Sequence, residues 1–289
     1  MPTRYQEYLP HKLLQEYIKC FWTLARDYVP GDDLEEVLPD TFVELIFNFG
    51  APYLREKDTE VIEIPKIYFV GLLQQPLPLR AQGLVNLIAI RFYAWGVLQF
   101  FDSAHLSNAI MLERDGEWQH LISKLEASIL AGDGATAVAD LEAFLLKRAL
   151  ALNYETGLLR AAAKLLYHTK GRFSIAALAD YCHLSVRQLQ RQFSTYTEFS
   201  PKLFARAIRF EEIRLRLMFD PDTNLTDLAL EFGYNHQSHF INDFKAFTHK
   251  TPGEYAAEMR ALQTVFHDHD HVVFLQAPPS THDYNEDDN

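Results

Sequence analysis

The sequence predicts an α+β chain of more than one domain: a β-rich N-terminal sandwich or barrel, a helical linker, and an all-α C-terminal domain. Three observations predict it. Residues 1–104 hold short runs rich in aromatic and β-branched residues, separated by Pro and Gly. From His105 onward the apolar spacing changes to the three-and-four rhythm of helices. Between Phe173 and Tyr255 one pattern occurs twice, about fifty residues apart, and each copy reads as a helix-turn-helix.

The strand-like runs are Tyr17 to Leu24, Thr41 to Phe49, Ile62 to Gly71 and Leu84 to Tyr93. Along Val43 to Phe49 the residues alternate, Val43, Leu45, Phe47 and Phe49 on one face and Glu44, Ile46 and Asn48 on the other. Strands at this spacing suit a small sandwich or an open barrel. Residues 105–155 then read as a helical pair. Trp118 to Leu130 carries Leu121, Ile122, Leu125 and Ile129, Gly132-Asp133-Gly134 breaks it, and Val138 to Leu152 carries Leu141, Phe144, Leu145 and Ala149. These stripes serve either a dimer contact or packing on their own domain.

Helix 156–169 opens the last domain, residues 156–265. In the first copy of the repeat Leu178-Ala179 leads through Cys182-His183 and Leu184-Ser185 to Leu189 and Phe193, with Ser200-Pro201 beyond. In the second, Leu228-Ala229 leads through Phe232-Gly233 and Tyr234 to Phe240 and Phe244, with Thr251-Pro252 beyond. In the first recognition helix Val186, Leu189 and Phe193 are expected to pack inward, which leaves Arg187, Gln190, Arg191 and Ser194 outside. Arginine can donate bidentately to guanine and glutamine can pair with adenine in a major groove. In the second, Phe240, Phe244 and Phe247 point inward, and Gln237, Ser238, His239, Asn242 and Lys245 lie on or beside the outer face. That milder set suits a mixture of base and phosphate contacts. Ser185, Gln188 and His236 complete the candidate DNA-binding residues. Between the copies Ser200 is an N-cap and Pro201 the first helical residue of a helix to about Met218. Its length of roughly 27 Å at 1.5 Å per residue is comparable with the 34 Å or so between successive major-groove segments. Asp220-Pro221-Asp222 ends it, and Asn224 or Thr226 caps the next helix.

The net charge of −12 is unevenly spread. Residues 156–260 hold fourteen Lys/Arg against eleven Asp/Glu, a balance of +3, and the remainder carries −15. The relatively basic part is therefore the one expected to meet a polyanion. Cys20 and Cys182 fall in different domains, so no disulfide framework follows. Without a signal-like start or an apolar run of spanning length, a soluble cytoplasmic protein with no membrane partner is expected. Residues 1–104 contain His11 alone, so no metal centre is expected there and no cofactor is implied. The end of the chain, 266–289, reads as an acidic, disordered tail. Its His267-Asp268-His269-Asp270-His271 run is either a divalent-ion binder or a solvated end.

The C-terminal sequence resembles the AraC/XylS family of bacterial transcription regulators. The residues that carry the resemblance are Leu178-Ala179, Leu184-Ser185, Leu189-Gln190-Arg191-Gln192-Phe193, Ser200-Pro201-Lys202, Arg209, Gly233 to Phe240, Phe244-Lys245 and Thr251-Pro252. The resemblance implies tandem DNA-binding subdomains joined by a linker helix, with groove-facing roles on Arg187, Gln190, Arg191, Ser238, His239 and Asn242. The chain departs from the family at Glu198 and His249, where Gly is usual, so left-handed helix ends must there be made by other residues. It departs again at Asn242, often Arg. Leu38-Pro39-Asp40, Glu44 to Asn48, Val70-Gly71, Arg91-Phe92 and Gly96 resemble the β-rich N-terminal domain of one branch of these regulators, similar to cupin-like sensor or dimerisation modules. The resemblance implies a small organic effector, homodimerisation and contact with RNA polymerase as further expectations.

Glu44, Asn48, Arg91, Tyr93 and Trp95 are candidates to line a polar-aromatic pocket. The alternative is that Glu44 and Arg91 form a surface or cross-strand ion pair and that Trp95 and Phe92 are ordinary core. The sequence offers no nucleophile elbow, phosphate loop or metal-binding histidine set, so an enzyme is not expected. A binding or interaction module, or an enzyme assembled from distant residues, whose C-terminal half only docks to DNA, is the other reading.

Overall fold

The computed structural model describes residues 3–31, 34–57, 60–101, 116–149, 157–197 and 199–265. The expectations for 105–115, 150–155, Glu198 and the tail 266–289 lie outside these residues. The chain divides into two compact units, Met1–Gly157 with Phe193–Glu198, and Leu158–Gln192 with Phe199–Asn289.

Among the described residues of the first unit nine strands form two antiparallel sheets. They are β1 Arg4–Tyr8, β2 Ile18–Tyr28, β3 Leu34–Val37, β4 Phe42–Asn48, β5 Tyr53–Lys57, β6 Glu60–Glu63, β7 Ile67–Val70, β8 Leu77–Ala81 and β9 Gly83–Tyr93. One sheet has the order β1-β2-β9-β4-β7 and the other β3-β8-β5-β6. The single strand expected over Ile62 to Gly71 is two, β6 and β7, in different sheets. Pro65 lies between them and cannot donate to a ladder.

Two helices follow, α1 Gly116–Leu130 and α2 Gly134–Ala149, and both lie against β9 as well as each other. Trp118 of α1 stacks on Phe47 and Phe101, with ring centroids 6.3 and 5.8 Å away, and meets Phe144 of α2 at 4.6 Å. Leu121, Leu125, Ile129, Leu141 and Leu145 are buried. These apolar positions of α1 and α2 are thus packed within the first compact unit. Each large side chain so buried contributes roughly 1.5–3 kcal/mol.

The alternation along β4 does not make a wet face, because every residue from Phe42 to Asn48 is buried. Register explains it. Phe47 pairs with Ile88 and Val43 with Phe92 on the face that the helices cover. Glu44 pairs with Arg91, and Ile46 with Ala89, on the other face. That face also carries Tyr28, whose ring meets Tyr53 of the second sheet at 6.1 Å and whose hydroxyl bonds Glu35 of β3. A central strand covered by helices on one side and a second sheet on the other has no solvent side. Cys20 pairs with Arg91 on the same inner face, and burial pushes its thiol up to about 12.

From Gly157 on the described residues are helical: α3 Gly157–His168, α4 Ile175–Tyr181, α5 Val186–Thr197, of which the second unit holds the part up to Gln192, α6 Pro201–Phe219, α7 Leu225–Glu231, α8 Gln237–Thr248 and α9 Pro252–Val265, with α6, α7, α8 and α9 in the second unit. Helix α6 is its spine. Phe204 meets Tyr167 of α3 edge-on at 5.9 Å, and Phe210 stacks on Phe247 of α8 at 4.8 Å and meets Phe244 at 5.2 Å. Lys170 and Gly171, both left-handed, close α3. A Cβ on Gly171 would lie 2.2 Å from the Ala205 carbonyl oxygen of α6, so glycine permits this contact.

Candidate nucleic-acid interface

Each helix-turn-helix begins with a cap. The Ser174 hydroxyl accepts from Ala177 N at 3.1 Å, and Asn224 Oδ1 accepts from Thr226 N at 2.8 Å and Asp227 N at 3.2 Å. Asn224, rather than Thr226, is therefore the cap of α7. Each first helix then ends in the same hydrogen bonds. His183 N donates to Asp180 O and Leu184 N to Ala179 O; fifty residues later Gly233 N donates to Leu230 O and Tyr234 N to Ala229 O, all at 2.9–3.0 Å. This is a Schellman closure, with the residue after the cap in the left-handed region. Gly233 takes φ 78° without a side-chain penalty, and His183 takes φ 54° with one.

The second helices start differently. Ser185 and Gln188 form a capping box at α5. Gln188 Oε1 accepts from Ser185 N at 2.9 Å, and the Ser185 hydroxyl accepts from Gln188 N at 3.3 Å. Both side chains thus hold the first turn of α5. Leu189 and Phe193 are buried, while Arg187, Gln190, Arg191 and Ser194 are exposed. Val186, expected to pack inward, is 39% exposed. It is the first helical residue, at the end of the apolar stripe. At α8 Phe240, Phe244 and Phe247 are buried, and Gln237, Ser238, His239, Asn242 and Lys245 are exposed, with Ser238, Asn242 and Lys245 following one helical face. His236 is the exposed N-cap residue without a side-chain cap bond, and its ring stands 6.0 Å from that of His239. The chain turns out of α8 at His249, φ 59°, a left-handed end without glycine as expected there.

Helix α6 starts as expected, with Ser200 Oγ accepting from Leu203 N at 3.1 Å and Pro201 as the first helical residue. It is 19 residues long, about 28 Å at 1.5 Å per residue. Sequence reasoning missed its polar contacts with the second subdomain. Arg206 Nη2 lies 2.9 Å from Asp243 Oδ1, the Tyr234 hydroxyl donates to Asp243 Oδ2 at 3.2 Å, and the Arg209 guanidinium lies over the Tyr234 ring at 5.2 Å. Burial, and then the Asp243 carboxylate, push the Tyr234 phenol well above its usual value, so it stays a donor. The signal was two arginines three apart on the linker helix and an acid between the apolar positions of α8.

In the first unit the strand register sets Glu44, Asn48, Arg91 and Tyr93 on one face of the sheet, with Phe42 paired to Tyr93 and Glu44 to Arg91. Glu44 and Arg91 do pair, with Arg91 Nη2 2.7 Å from Glu44 Oε1 and Arg91 Nη1 3.9 Å from Glu7 Oε1. The pair is cross-strand, and it is buried rather than superficial. Burial opposes the charge on Arg91, yet the Glu44 carboxylate beside it raises its pKa well above the ordinary arginine value. Asn48 is spent on its own turn, its Nδ2 donating to Ala51 O and its Oδ1 accepting from Gly50 N. Trp95 donates to Glu16 O at 2.9 Å and stacks on Tyr93 at 4.7 Å. Tyr93 also meets Phe42 at 5.7 Å, whose ring lies 5.8 Å from the Arg91 guanidinium. The polar groups the sequence did not single out on the inner side are Tyr28, Glu35 and Tyr53. The Glu35 carboxylate accepts from both phenols, from Tyr53 at 3.2 Å.

Two folded caps, two left-handed turns and two exposed polar helix faces on one spine define a tandem helix-turn-helix reader. Residues 178–258 match the family model described as a helix-turn-helix domain, and residues 6–108 match a domain of unknown function, DUF6597. The chain carries a helix-turn-helix domain behind a β-rich N-terminal domain. An uncharacterised HTH-type transcriptional regulator of Staphylococcus aureus (strain COL) is 30% identical over 113 residues, 37% of this chain and 15% of that protein. The HTH-type transcriptional regulator MtrA of Neisseria gonorrhoeae is 30% identical over 95 residues, 33% of this chain and 31% of MtrA. The chain thus spans less than a third of the length of either relative. The solved structure of ToxT from Vibrio cholerae is similar over 89% of this chain and 98% of that one, with 11% identity and a TM-score of 0.48.

Proposed function

We propose that the protein is a sequence-specific, double-stranded-DNA-binding transcription regulator that reads two adjacent major-groove segments, one with α5 and one with α8. The observation that carries this is the duplication itself. Identical turn closures stand fifty residues apart, each followed by a helix whose apolar side is buried and whose polar side is exposed, and a helix about as long as the groove repeat joins them. Arg187, Gln190 and Arg191 supply direct base readout. Ser238, His239, Asn242 and Lys245 combine base and phosphate contacts, with Gln237 and His236 beside them. Ser185 and Gln188 act by fixing the start of α5.

The remaining parts of the reading are coarser. The protein works in the cytoplasm as a homodimer that meets RNA polymerase, and a small organic effector acts through the β-rich domain at its inner face beside Glu44 and Arg91. Among the described residues no helix is long and apolar enough to cross a membrane.

The test is selection of bound duplexes from a random pool by the full chain, with and without candidate metabolites. The reading expects one enriched site containing two conserved segments about one helical turn apart, and enrichment that changes with one metabolite. Recovery of unenriched DNA, at an affinity that depends only on salt, would overturn it.

A further inference from the structure

The exposed faces of α5 and α8 define which side chains can meet DNA, but not what holds the second helix at one angle to the spine. The aromatic contacts of Phe210 with Phe244 and Phe247 bind α8 to α6. Apolar contact is non-directional and permits a helix to roll. The groups beside it are directional. Arg206 reaches Asp243 Oδ1 with both Nε, at 3.2 Å, and Nη2, at 2.9 Å, while its guanidinium also lies over Phe247 at 5.6 Å. Tyr234, in the turn between α7 and α8, holds the other carboxylate oxygen. Arg209, one helical turn from Arg206 on α6, covers the Tyr234 ring. Linker helix, turn and recognition helix are joined in one chain of contacts whose central ion pair is about three-quarters buried, at 27% and 24% side-chain exposure.

The corresponding positions of the first subdomain carry other residues. The two copies are offset by fifty residues at the turn and fifty-one in the second helix, so Leu184 stands for Tyr234 and Gln192 for Asp243, and neither is ionic. The asymmetry matters because the two faces also differ: α5 presents two arginines, α8 mostly uncharged groups. A weakly charged reader gains selectivity only if it arrives in register.

We propose that the Arg206–Asp243–Tyr234–Arg209 contacts are a positioning device that fixes α8 on α6, and so set the spacing between the two DNA segments the protein accepts. The inference rests on the two-segment reading above. None of the four side chains is assigned a contact with DNA, and Asp243 acts through Arg206 and Tyr234.

The experiment measures binding of full-length wild type, Asp243→Asn and Tyr234→Phe to the selected duplex and to versions with one base pair added or removed between segments. Wild type is expected to prefer native spacing. Asp243→Asn should lose about tenfold at native spacing, with the preference among spacers shrinking toward none and protection of the α5 segment retained. Tyr234→Phe, which keeps the ring beneath Arg209, should show the same change in smaller measure. Exchange of the charges, Arg206→Glu with Asp243→Arg, should restore part of the preference. Arg187→Ala serves as the contrast, weakening all spacings alike. Unchanged spacing preference in folded Asp243→Asn and Tyr234→Phe, or equal weakening at every spacing, would overturn the positioning role while leaving the two-segment reading intact. A wild type indifferent to spacing would overturn both.

Discussion

Glu44 and Arg91 show how far a single residue's meaning depends on what covers its strand. In sequence Glu44 sits at an alternate position of β4, the pattern of a half-wet strand, yet it lies 9% exposed against an arginine 6% exposed. Glu44→Ala takes from that buried guanidinium its closest carboxylate and leaves Glu7 at 3.9 Å, and should cost about 3–5 kcal/mol, visible as a lower midpoint of denaturant unfolding. Removing both partners in favour of apolar residues should cost less. Glu35 offers a pH test. Burial raises its carboxyl above the usual value, against the lowering effect of the Tyr28 hydrogen bond. A raised folded value means that the contribution is fully present below the unfolded carboxylate pKa and is lost as pH rises through the folded one. Wild type should therefore lose stability across that window in a pH series of thermal unfolding, and Glu35→Gln should lack that loss. An identical slope in both proteins would refute the assignment.

At the scale of elements, what was legible followed from local chemistry. Ser200-Pro201 marks the start of α6 because its capping and proline preferences act within one turn, and the second helix-turn-helix was readable because Gly233 alone suits its left-handed turn without strain. Asn224→Ala removes the acceptor for two N–H groups of α7. It should destabilise by about 1 kcal/mol, measured as a shift in the unfolding midpoint. The short strands β1, β3, β5 and β8 were not legible. Strands β3 and β8 pair across forty-four residues, as Glu35 with Leu79, and the edge strands β1 and β3 hold only exposed and half-buried residues, which carry little apolar signal. The opposite failure occurred at Val186, where helical spacing was right and the position at the helix end decided exposure.

At the scale of the whole molecule the charge distribution fits the proposed division of labour, since residues 156–260, which carry both helix-turn-helix copies, hold a balance of +3 and the remainder −15. The sites differ in how far they could be read. A recognition face is built from residues close in sequence, so Arg187, Gln190 and Arg191 followed from periodicity. The inner face of the β-rich domain is assembled from β2, β3, β4, β5 and β9, and its members Tyr28, Glu35 and Tyr53 share no local pattern. The account depends on two helices meeting two successive turns of one duplex, which hydroxyl-radical footprinting of the full-length protein on its selected site addresses most directly. It predicts two protected segments centred about 10 base pairs apart, with Arg187→Ala weakening binding by roughly 1–3 kcal/mol and clearing only one of them. A single protected segment, or an unchanged footprint in Arg187→Ala and Arg191→Ala, would contradict it.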